Sequence, residues 1–505
     1  MIMTDSNSNY SDLPLGWKWI VISNVANVDL GKTPKKSQYI NEGKFKIIKF
    51  RDVDYSGIDW FNSKAGFVTE NSIAELKELI PYDVLITSSA HSSEHIGKKI
   101  AFVKKIPQEY ERVFFVGELL NIRSQPDILN PQFVFFYFLS RDGYTAIQSK
   151  VKGVHLTSGE ARKLEIPLPP LPEQHRIVEK IEELFSELDN GVASLKKALE
   201  QLKTYRQAVL KWAFEGKLTE KWRNTHQDSL EDADTLLEQI KAERKRHYQQ
   251  QLADWKQALK EWENNGKETK KPTKPQQPKD LPPLTKEELS NLPSLPDGWM
   301  WVKVDYLLSL DKKGMTTGPF GTLLKKSEHQ ISGIPVLGIE NIGNGVFLPK
   351  NKIFITEKKA RELSSFEVSG GDIIISRSGT VGEICLVPDY FGYSLISTNL
   401  IRISLNKTII SPKFFVFLFL GGGSVREQVK ELCKGSTRDF LNQTILQSII
   451  FPFPSLQEQT QIVQEIESRL SVCDQLEATL TENLNKAEAL RQSILKRAFE
   501  GKLVL

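Results

Sequence analysis

The stretch PLPPLPEQ at residues 167–174, with AFEGKL further on at residues 213–218, decides how this chain folds, because both strings occur twice. The second copy has PFPSLQEQ at residues 452–459 and AFEGKL at residues 498–503. Both ends are displaced by 285 residues (452 less 167, and 498 less 213), and about half of the positions from 167 to 218 are identical to their counterparts without a gap. Chance does not produce such a match over this length, so the chain is an internal tandem.

The regions before these segments repeat more faintly. LPLGWKW at residues 13–19 is echoed by LPDGWMW at residues 295–301, and DVLITS at 83–88 by DIIISR at 372–377. The sequence between these landmarks differs between the halves. Similar frames around dissimilar contents indicate one scaffold that presents two different specificities.

The two similar segments are predicted to be long helices. Each covers about 40 residues, or about 60 Å of α-helix, and prolines precede each one while Gly216 and Gly501 suit its C-terminal cap. A sustained seven-residue apolar repeat predicts a coiled-coil seam. The seam positions are Ile181, Leu188, Leu195, Leu202 and Val209 in the first helix, and Ile466, Cys473, Leu480, Ala487 and Ile494 in the second.

The apolar face of each helix could be buried in two ways. Each could pack on its own domain, or the two could pair with each other. We favour pairing, because two similar elements of one chain satisfy each other most simply through a pseudo-twofold axis, which makes them antiparallel.

The predicted fold class is α+β, with two mixed α/β variable domains in a pseudo-twofold arrangement, separated by two long antiparallel coiled-coil helices. Short β-branched runs bounded by turn residues support the strands. The predicted segments are a first variable domain (1–166), a first helix (167–221), a charged helix with a Lys/Pro-rich linker (222–294), a second variable domain (295–450) and a second helix (451–505).

Composition bounds the class of protein. The chain has 505 residues, of which 40% are hydrophobic and 26% charged, and no apolar run reaches the roughly 18 residues of a membrane span. The start is polar and unlike a signal peptide, and the three cysteines are scattered. We therefore expect a cytoplasmic protein without a membrane partner. The net charge of +4 is too small to indicate nucleic acid by itself, so a DNA site would have to be a local patch.

Two catalytic motifs are matched only in part, and each lacks a residue or a context that its chemistry requires. GKT at residues 31–33 resembles the end of a phosphate-binding loop, but Ala26 stands where its leading glycine belongs. HSSEH at residues 91–95 matches a zinc-protease pattern that requires a helix, whereas here it follows a strand in a Ser-rich stretch. No dinucleotide fingerprint, nucleophile elbow or base-gripping methyltransferase box is present. The sequence predicts no catalytic residue and no metal ligand, hence a binder rather than an enzyme.

The duplicated Pro-rich box, heptad helix and AFEGKL ending, with a Gly-Trp-x-Trp start in each half and GPFG at residues 318–321, resemble the specificity subunit of type I restriction–modification systems. The resemblance covers nearly the whole chain except residues 222–294. It implies two target-recognition domains, each of which reads one half of an asymmetric, bipartite DNA target, while the paired helices set the gap.

The resemblance also implies partners. The helices would dock two modification (methyltransferase) subunits, and restriction (translocase and nuclease) subunits would join that core on double-stranded DNA. S-adenosylmethionine, ATP and Mg are then expected on the partners, and no cofactor is expected in this chain.

DNA readout needs side chains at base edges and phosphates, and we expect them in polar loops of both domains. Arg377 is the best single candidate for a guanine contact, because it follows a strand in a Gly/Ser-rich turn. Ordinary solvated surface is the alternative for each position. The set is Lys32, Lys35, Lys36, Ser88, Ser89, His91, Ser92, Lys152, His155 and Thr157 in the first domain, and Thr317, Lys325, Lys326, Arg377, Ser378, Thr380, Lys434, Ser436, Thr437 and Arg438 in the second.

Two other functions stay open. A coiled-coil interaction adaptor without DNA readout is compatible with the weak net charge, and the absence of a positive patch from both domains would favour it. An enzyme with unrecognised catalysis would be indicated if the isolated chain bound S-adenosylmethionine.

Overall fold

The computed structural model describes residues 13–54, 57–61, 66–227, 233–275, 277, 281, 283–319, 322–433 and 440–504. The chain forms two compact units, of which the first comprises Met1–Ala198 with Thr479–Leu505 and the second Leu199–Ala478. This division cuts through both long helices, whereas the sequence predicted each helix as a segment of its own.

The first unit is built mainly from short strands. Its strands are β1 (Lys18–Val21), β2 (Ala26–Leu30), β3 (Tyr39–Ile40), β4 (Phe45–Ile48), β5 (Val53–Asp54), β6 (Gly57–Ile58), β7 (Phe67–Val68), β8 (Glu78–Leu79), β9 (Val84–Thr87), β10 (Ile100–Phe102), β11 (Arg112–Phe115), β12 (Leu119–Ser124) and β13 (Glu165–Leu168). Its helices are α1 (Pro131–Leu139), α2 (Arg141–Lys150), α3 (Ser158–Ala161) and the start of α4 (Leu171–Phe214).

Two sheets organise this unit. One has four antiparallel strands in the order β10-β9-β12-β2, and the other has the order β3-β7-β4-β11-β8, in which β4 and β11 are parallel. Along β9, Val84 and Ile86 enter a core shared with α1, while Leu85 enters the core of the second sheet. Both faces of β9 are therefore buried, which explains its continuous apolar sequence. The aromatic run at residues 133–139, compatible with strand or helix from sequence, lies in helix α1.

The second unit follows the same plan with fewer strands. Its strands are β14 (Met300–Lys303), β15 (Met315–Thr317), β16 (Ile334–Leu337), β17 (Ile353–Ile355), β18 (Glu367–Val368), β19 (Ile373–Ser376), β20 (Ile384–Leu386), β21 (Ser394–Ile396), β22 (Leu400–Ile403) and β23 (Ile450–Phe453). Its helices are the end of α4, α5 (Glu220–Thr225), α6 (Ala233–Asn264), α7 (Lys286–Ser290), α8 (Glu357–Glu362), α9 (Pro412–Gly421), α10 (Gly423–Cys433), α11 (Gln443–Ser448) and the first half of α12 (Leu456–Phe499).

The sheets of the second unit repeat those of the first. The order β20-β19-β22-β15 matches β10-β9-β12-β2, and β16 lies parallel to β21 as β4 does to β11. Ile373 and Ile375 face the helical core while Ile374 faces the core of the other sheet, the same alternation as in β9. The duplication thus extends into the variable domains, where sequence similarity is faint, and the predicted mixed α/β fold is confirmed.

The two long helices, α4 and α12, are 44 residues each, and all ten predicted seam positions are buried or half-buried. One ion pair is made twice. In the second unit Arg206 Nη2 lies 2.6 Å from Asp474 Oδ1, and in the first unit Arg491 pairs with Asp189. These residues are equivalent at the displacement of 285, and numbers that rise along α4 pair with numbers that fall along α12. The predicted antiparallel pairing is confirmed.

The last turns of each helix pack on the domain of the other copy. In the first unit the Phe499 ring lies 5.2 Å from those of Phe133 and of Tyr137, and in the second Phe214 lies 5.5 Å from Phe414. The first turns pack on their own domain, so both arrangements considered from sequence occur. Left-handed glycines end the helices as predicted, at φ 71° for residue 216 and 69° for residue 501.

A carboxylate ties the Gly-Trp start to the Pro-rich box in each unit. Trp17 Nε1 donates to Glu173 at 3.1 Å, and Trp299 Nε1 donates to Glu458 at 2.9 Å. Glu458 also accepts a hydrogen bond from Thr219 Oγ1 at 2.7 Å and pairs with the buried guanidinium of Arg223. The second junction therefore carries an internal ion pair on top of the shared Trp–Glu bond.

Helix α6 belongs to the segment that has no second copy. Leu236 and Ile240 are buried, and Arg244 Nη1 donates to the carbonyl of Asp305 at 3.2 Å, so the start of α6 packs on the second unit. The charged helix predicted within residues 222–294 begins here at Ala233, and residues 228–232 lie outside the described residues. Among the helices that the structure describes, none has the length and apolar character needed to span a bilayer.

Candidate nucleic-acid interface

In the first unit, loops from four parts of the sequence meet at one end of the sheet that contains β9. Three main-chain hydrogen bonds hold them together. Gly31 N donates to Leu119 O at 3.0 Å, Ser88 N to Glu118 O at 2.9 Å, and Leu156 N to Ser88 O at 2.7 Å. The loops after β2 and β9, and those before β12 and α3, therefore form one continuous polar surface.

The second unit builds the same surface with the same three bonds. Gly318 N donates to Leu400 O at 3.0 Å, Arg377 N to Asn399 O at 2.9 Å, and Leu441 N to Arg377 O at 3.0 Å. Arg377 thus occupies the position of Ser88. The backbone frame is shared, and the side chains mounted on it differ.

Most of the predicted side chains of the first unit come together on this surface. Ser89 Oγ lies 2.9 Å from His155 Nδ1, and the main chain of His155 bridges to that of Lys152 and of Ser89. Ser92 Oγ lies 2.6 Å from His95 Nδ1. Ser88 differs from the expectation, because its side chain is buried and its hydroxyl donates to the Gly117 carbonyl at 3.4 Å.

Two of the predicted basic residues of the first unit already form ion pairs with carboxylates. Lys32 pairs with Glu75, and this hydrogen bond lowers the pKa of the Glu75 carboxyl. Lys152 Nζ lies 2.9 Å from Glu160 and likewise lowers its pKa. These pairs are exposed and weak, so a phosphate can compete for the ammonium groups. Three further predicted residues are exposed on their loops, Lys35, Lys36 and His91, and Thr157 caps the start of α3.

The predicted residues of the second unit, apart from Arg377, fall into three groups. Thr317 Oγ1 accepts a hydrogen bond from Gln443 Nε2 at 2.8 Å, and Ser378 Oγ donates to Asn399 Oδ1 at 3.0 Å, which places both beside Arg377. Exposed positions nearby in sequence are Thr380, Lys325 and Lys326. The four remaining candidates, Lys434, Ser436, Thr437 and Arg438, lie outside the described residues.

Arg377 has an unusual environment for a surface loop. It is 9% exposed, its guanidinium lies 4.2 Å from the centre of the Phe440 ring, and its Nη1 donates to Thr398 O at 3.4 Å. Burial lowers the pKa of this guanidinium from its ordinary value, because removal from water disfavours the charged form. The arginine lies over an aromatic ring and has no carboxylate partner among the described residues.

The family model for the type I restriction modification DNA specificity domain matches this chain twice, at residues 14–202 and 302–486. The chain belongs to this family. The two matched regions contain the two loop surfaces described above and much of both long helices.

Curated relatives and solved structures agree with this membership. The chain is 24% identical to the StySPI specificity subunit of Salmonella potsdam over 508 residues, which is 98% of this chain and 91% of that protein. It is 24% identical to the EcoKI specificity subunit of Escherichia coli K12 over 510 residues, 97% and 90% of the two chains. The HsdS subunit from Thermoanaerobacter tengcongensis matches with a TM-score of 0.51, at 18% identity over 98% and 99% of the two chains. A chain from a structure on assembly and conformational transition of the type I R-M system gives a TM-score of 0.64 at 18% identity, covering 98% of this chain and 100% of that one. At 18% identity these structures show a shared fold.

Sequence reasoning missed three members of the surface of the second specificity domain, Asn399, Phe440 and Gln443. A signal for Phe440 existed, because at the displacement of 285 it aligns with His155, which was predicted. Nothing local in the sequence distinguishes Asn399 or Gln443. Within the described part of the chain, no three His, Cys, Asp or Glu side chains are grouped so that they could hold a metal ion.

Proposed function

We propose that this chain is the DNA sequence-specificity subunit of a type I restriction–modification complex, and that each recognition domain reads one half of an asymmetric bipartite target. One observation carries the proposal. The two units hold equivalent loops with the same three main-chain bonds, yet mount Ser88 on one and Arg377 on the other. A shared frame with different side chains is what two different half-sites require, because base edges are distinguished by the donors and acceptors that face them.

The helices have two roles in this proposal. They set the non-specific gap between the half-sites, and they dock two modification subunits. Their residues Val472, Leu476 and Leu490 are about half exposed, at 52%, 49% and 51%, although they lie in helices whose seam is already buried. Apolar side chains left exposed beside a buried seam are suited to a protein partner.

We assign the catalytic steps to the partner subunits. We infer that this chain does not catalyse, that the modification subunits bring S-adenosylmethionine, and that restriction subunits bring ATP and Mg. The complex would act in the cytoplasm, where its DNA target lies.

The test is a domain exchange followed by sequencing of DNA methylation in the host. Residues 13–166 are replaced by the corresponding residues of another family member, and the modification subunits are co-expressed. We expect one half-site to change while the other half-site and the gap persist. A change in both half-sites would contradict the assignment of one domain to each. If the unaltered chain supports no bipartite methylation motif at all, the adaptor function takes the place of DNA readout.

A further inference from the structure

The turn after β19 contains the guanidinium of Arg377, most of whose donors make no hydrogen bond to the part of the chain that the structure describes. A guanidinium has five N–H donors in a planar fork. Within the described residues Arg377 makes one long hydrogen bond, of 3.4 Å, to the Thr398 carbonyl, and its buried Nε has no partner. The buried Nε is out of reach of an incoming group, whereas the terminal nitrogens keep donors that the described residues do not use. An incoming group with two acceptors would therefore be preferred over one without.

The frame does not need this arginine. Its main-chain bonds are the same as those of Ser88, which builds the equivalent turn with a small side chain. Phe440, which supports the guanidinium from one face, likewise aligns with His155. The pair of Arg377 and Phe440 is therefore a difference between the two recognition surfaces and is no part of what they share.

We propose that Arg377 is a specificity-determining residue that reads one guanine of the second half-site, and that Phe440 holds the guanidinium plane in position to do so. The inference rests on the proposed function. Guanine offers its O6 and N7 side by side in the major groove, and the fork of arginine matches both. The guanidinium lies over the Phe440 ring, which supports it through a cation–π contact, and its terminal nitrogens remain for the base.

The first domain does not read through the equivalent position. The hydroxyl of Ser88 is buried and directed to the Gly117 carbonyl. A guanine contact through this turn is consequently expected for one half-site alone.

The first experiment needs no variant. The complex of this chain with its modification subunits is titrated with target duplexes in which each guanine of the second half-site is replaced, one at a time, by 7-deazaguanine, which lacks the N7 acceptor. At one guanine we expect affinity to fall about 5-fold or more, the lower end of what a bidentate contact contributes. The remaining guanines of that half-site should tolerate the change better.

Variants assign the effect to a residue. In Arg377→Lys the charge remains but the fork is lost, so the same 7-deazaguanine should cause little further loss. Arg361→Lys is the matched control, because Arg361 lies in α8 with its side chain 81% exposed, and it should keep the full sensitivity. Phe440→Leu should weaken the discrimination, and Phe440→Tyr, which keeps the ring, should retain it.

Methylation sequencing gives an independent outcome. Arg377→Gln should relax one position of the second half-site and leave the first half-site intact. A second half-site without guanine, or equal 7-deazaguanine sensitivity in Arg377→Lys and the unaltered chain, overturns the inference while the proposed function stands. Absence of any bipartite motif is the distinct failure of the proposed function. If the Arg377 variants do not fold, the same 7-deazaguanine scan on Phe440→Leu and Phe440→Tyr decides, and equal discrimination in these two variants overturns the inference.

Discussion

The duplication allows one substitution to be made in two different environments. Glu458→Gln and Glu173→Gln change equivalent residues, displaced by 285. Glu458 is 1% exposed and faces Trp299, Thr219 and the guanidinium of Arg223. Glu173 is half-buried and accepts from Trp17. We expect the free energy of unfolding to fall much more in the first variant than in the second.

The magnitudes follow from what each change leaves behind. Glutamine at position 458 retains one acceptor but no charge, so the buried Arg223 loses its anion, at a cost of about 3–5 kcal/mol. At position 173 glutamine still accepts from the indole, and the cost is about 1 kcal/mol or less. The second unit spans residues 199–478, which is 280 residues (478 less 199, plus one). An unfolding entropy of about 2.1 cal/mol/K per residue gives about 1.7 °C of Tm per kcal/mol for this unit, which predicts a loss of about 5–9 °C in Glu458→Gln.

The assay has to separate the two units, because a single two-state transition cannot be assumed for them. Hydrogen exchange at the strand pairs β14–β23 and β1–β13, alongside calorimetry, reports on each. The double variant Glu458→Gln with Arg223→Met removes the stranded charge and should recover a measurable part of the loss. Equal destabilisation by Glu458→Gln and Glu173→Gln, or no recovery in the double variant, would refute the ion-pair explanation.

Two further predictions concern the long helices and their contacts. Four residues inserted after Leu195 in α4, together with four after Leu484 in α12, lengthen the helix pair by about 6 Å. Sequencing of DNA methylation should then show a DNA gap longer by up to about two base pairs, with both half-sites unchanged. An unchanged gap would argue against the spacer role. Gly191→Ala should raise the free energy of unfolding by about 0.5–1 kcal/mol, since nothing lies within 4 Å of an added Cβ. Gly421→Ala should lower the free energy of unfolding by about 1–3 kcal/mol, because the added Cβ would lie 2.1 Å from the Cβ of Leu210. Urea denaturation that gives both changes the same sign would contradict this reasoning.

Local sequence signals were sufficient for the long helices and several of the strands. The seven-residue repeat and the two capping glycines located α4 and α12, and β-branched runs located β9 and β19. The packing of the last turns of each helix on the domain of the other copy could not be predicted from sequence. The contact of Phe499 with Phe133 joins residues far apart in sequence and leaves no periodic pattern. The ion pair of Arg223 was missed for the same reason, and its segment has no second copy with which to compare it.

The candidate interface shows where sequence reasoning stops. Polar, turn-forming loops after strands could be selected from composition, and main-chain bonds do bring these loops together. The direction of an individual side chain depends on neighbours that arrive from elsewhere, as with Ser88, which turns inward to the Gly117 carbonyl. Arg377 was chosen from its turn, but its support by Phe440 depends on a contact across the surface.

Stability and specificity are carried by different groups in this fold. The loop frame is made by main-chain bonds, which both Ser88 and Arg377 permit at the equivalent position, and the junctions and helix seam that hold each unit lie away from it. Ser88 and Arg377 differ between the two copies, whose main-chain bonds are the same. Side chains at the reading positions can therefore diverge while the main-chain frame is kept, and this physical separation explains how two domains with little sequence in common retain one backbone arrangement while presenting different surfaces to DNA.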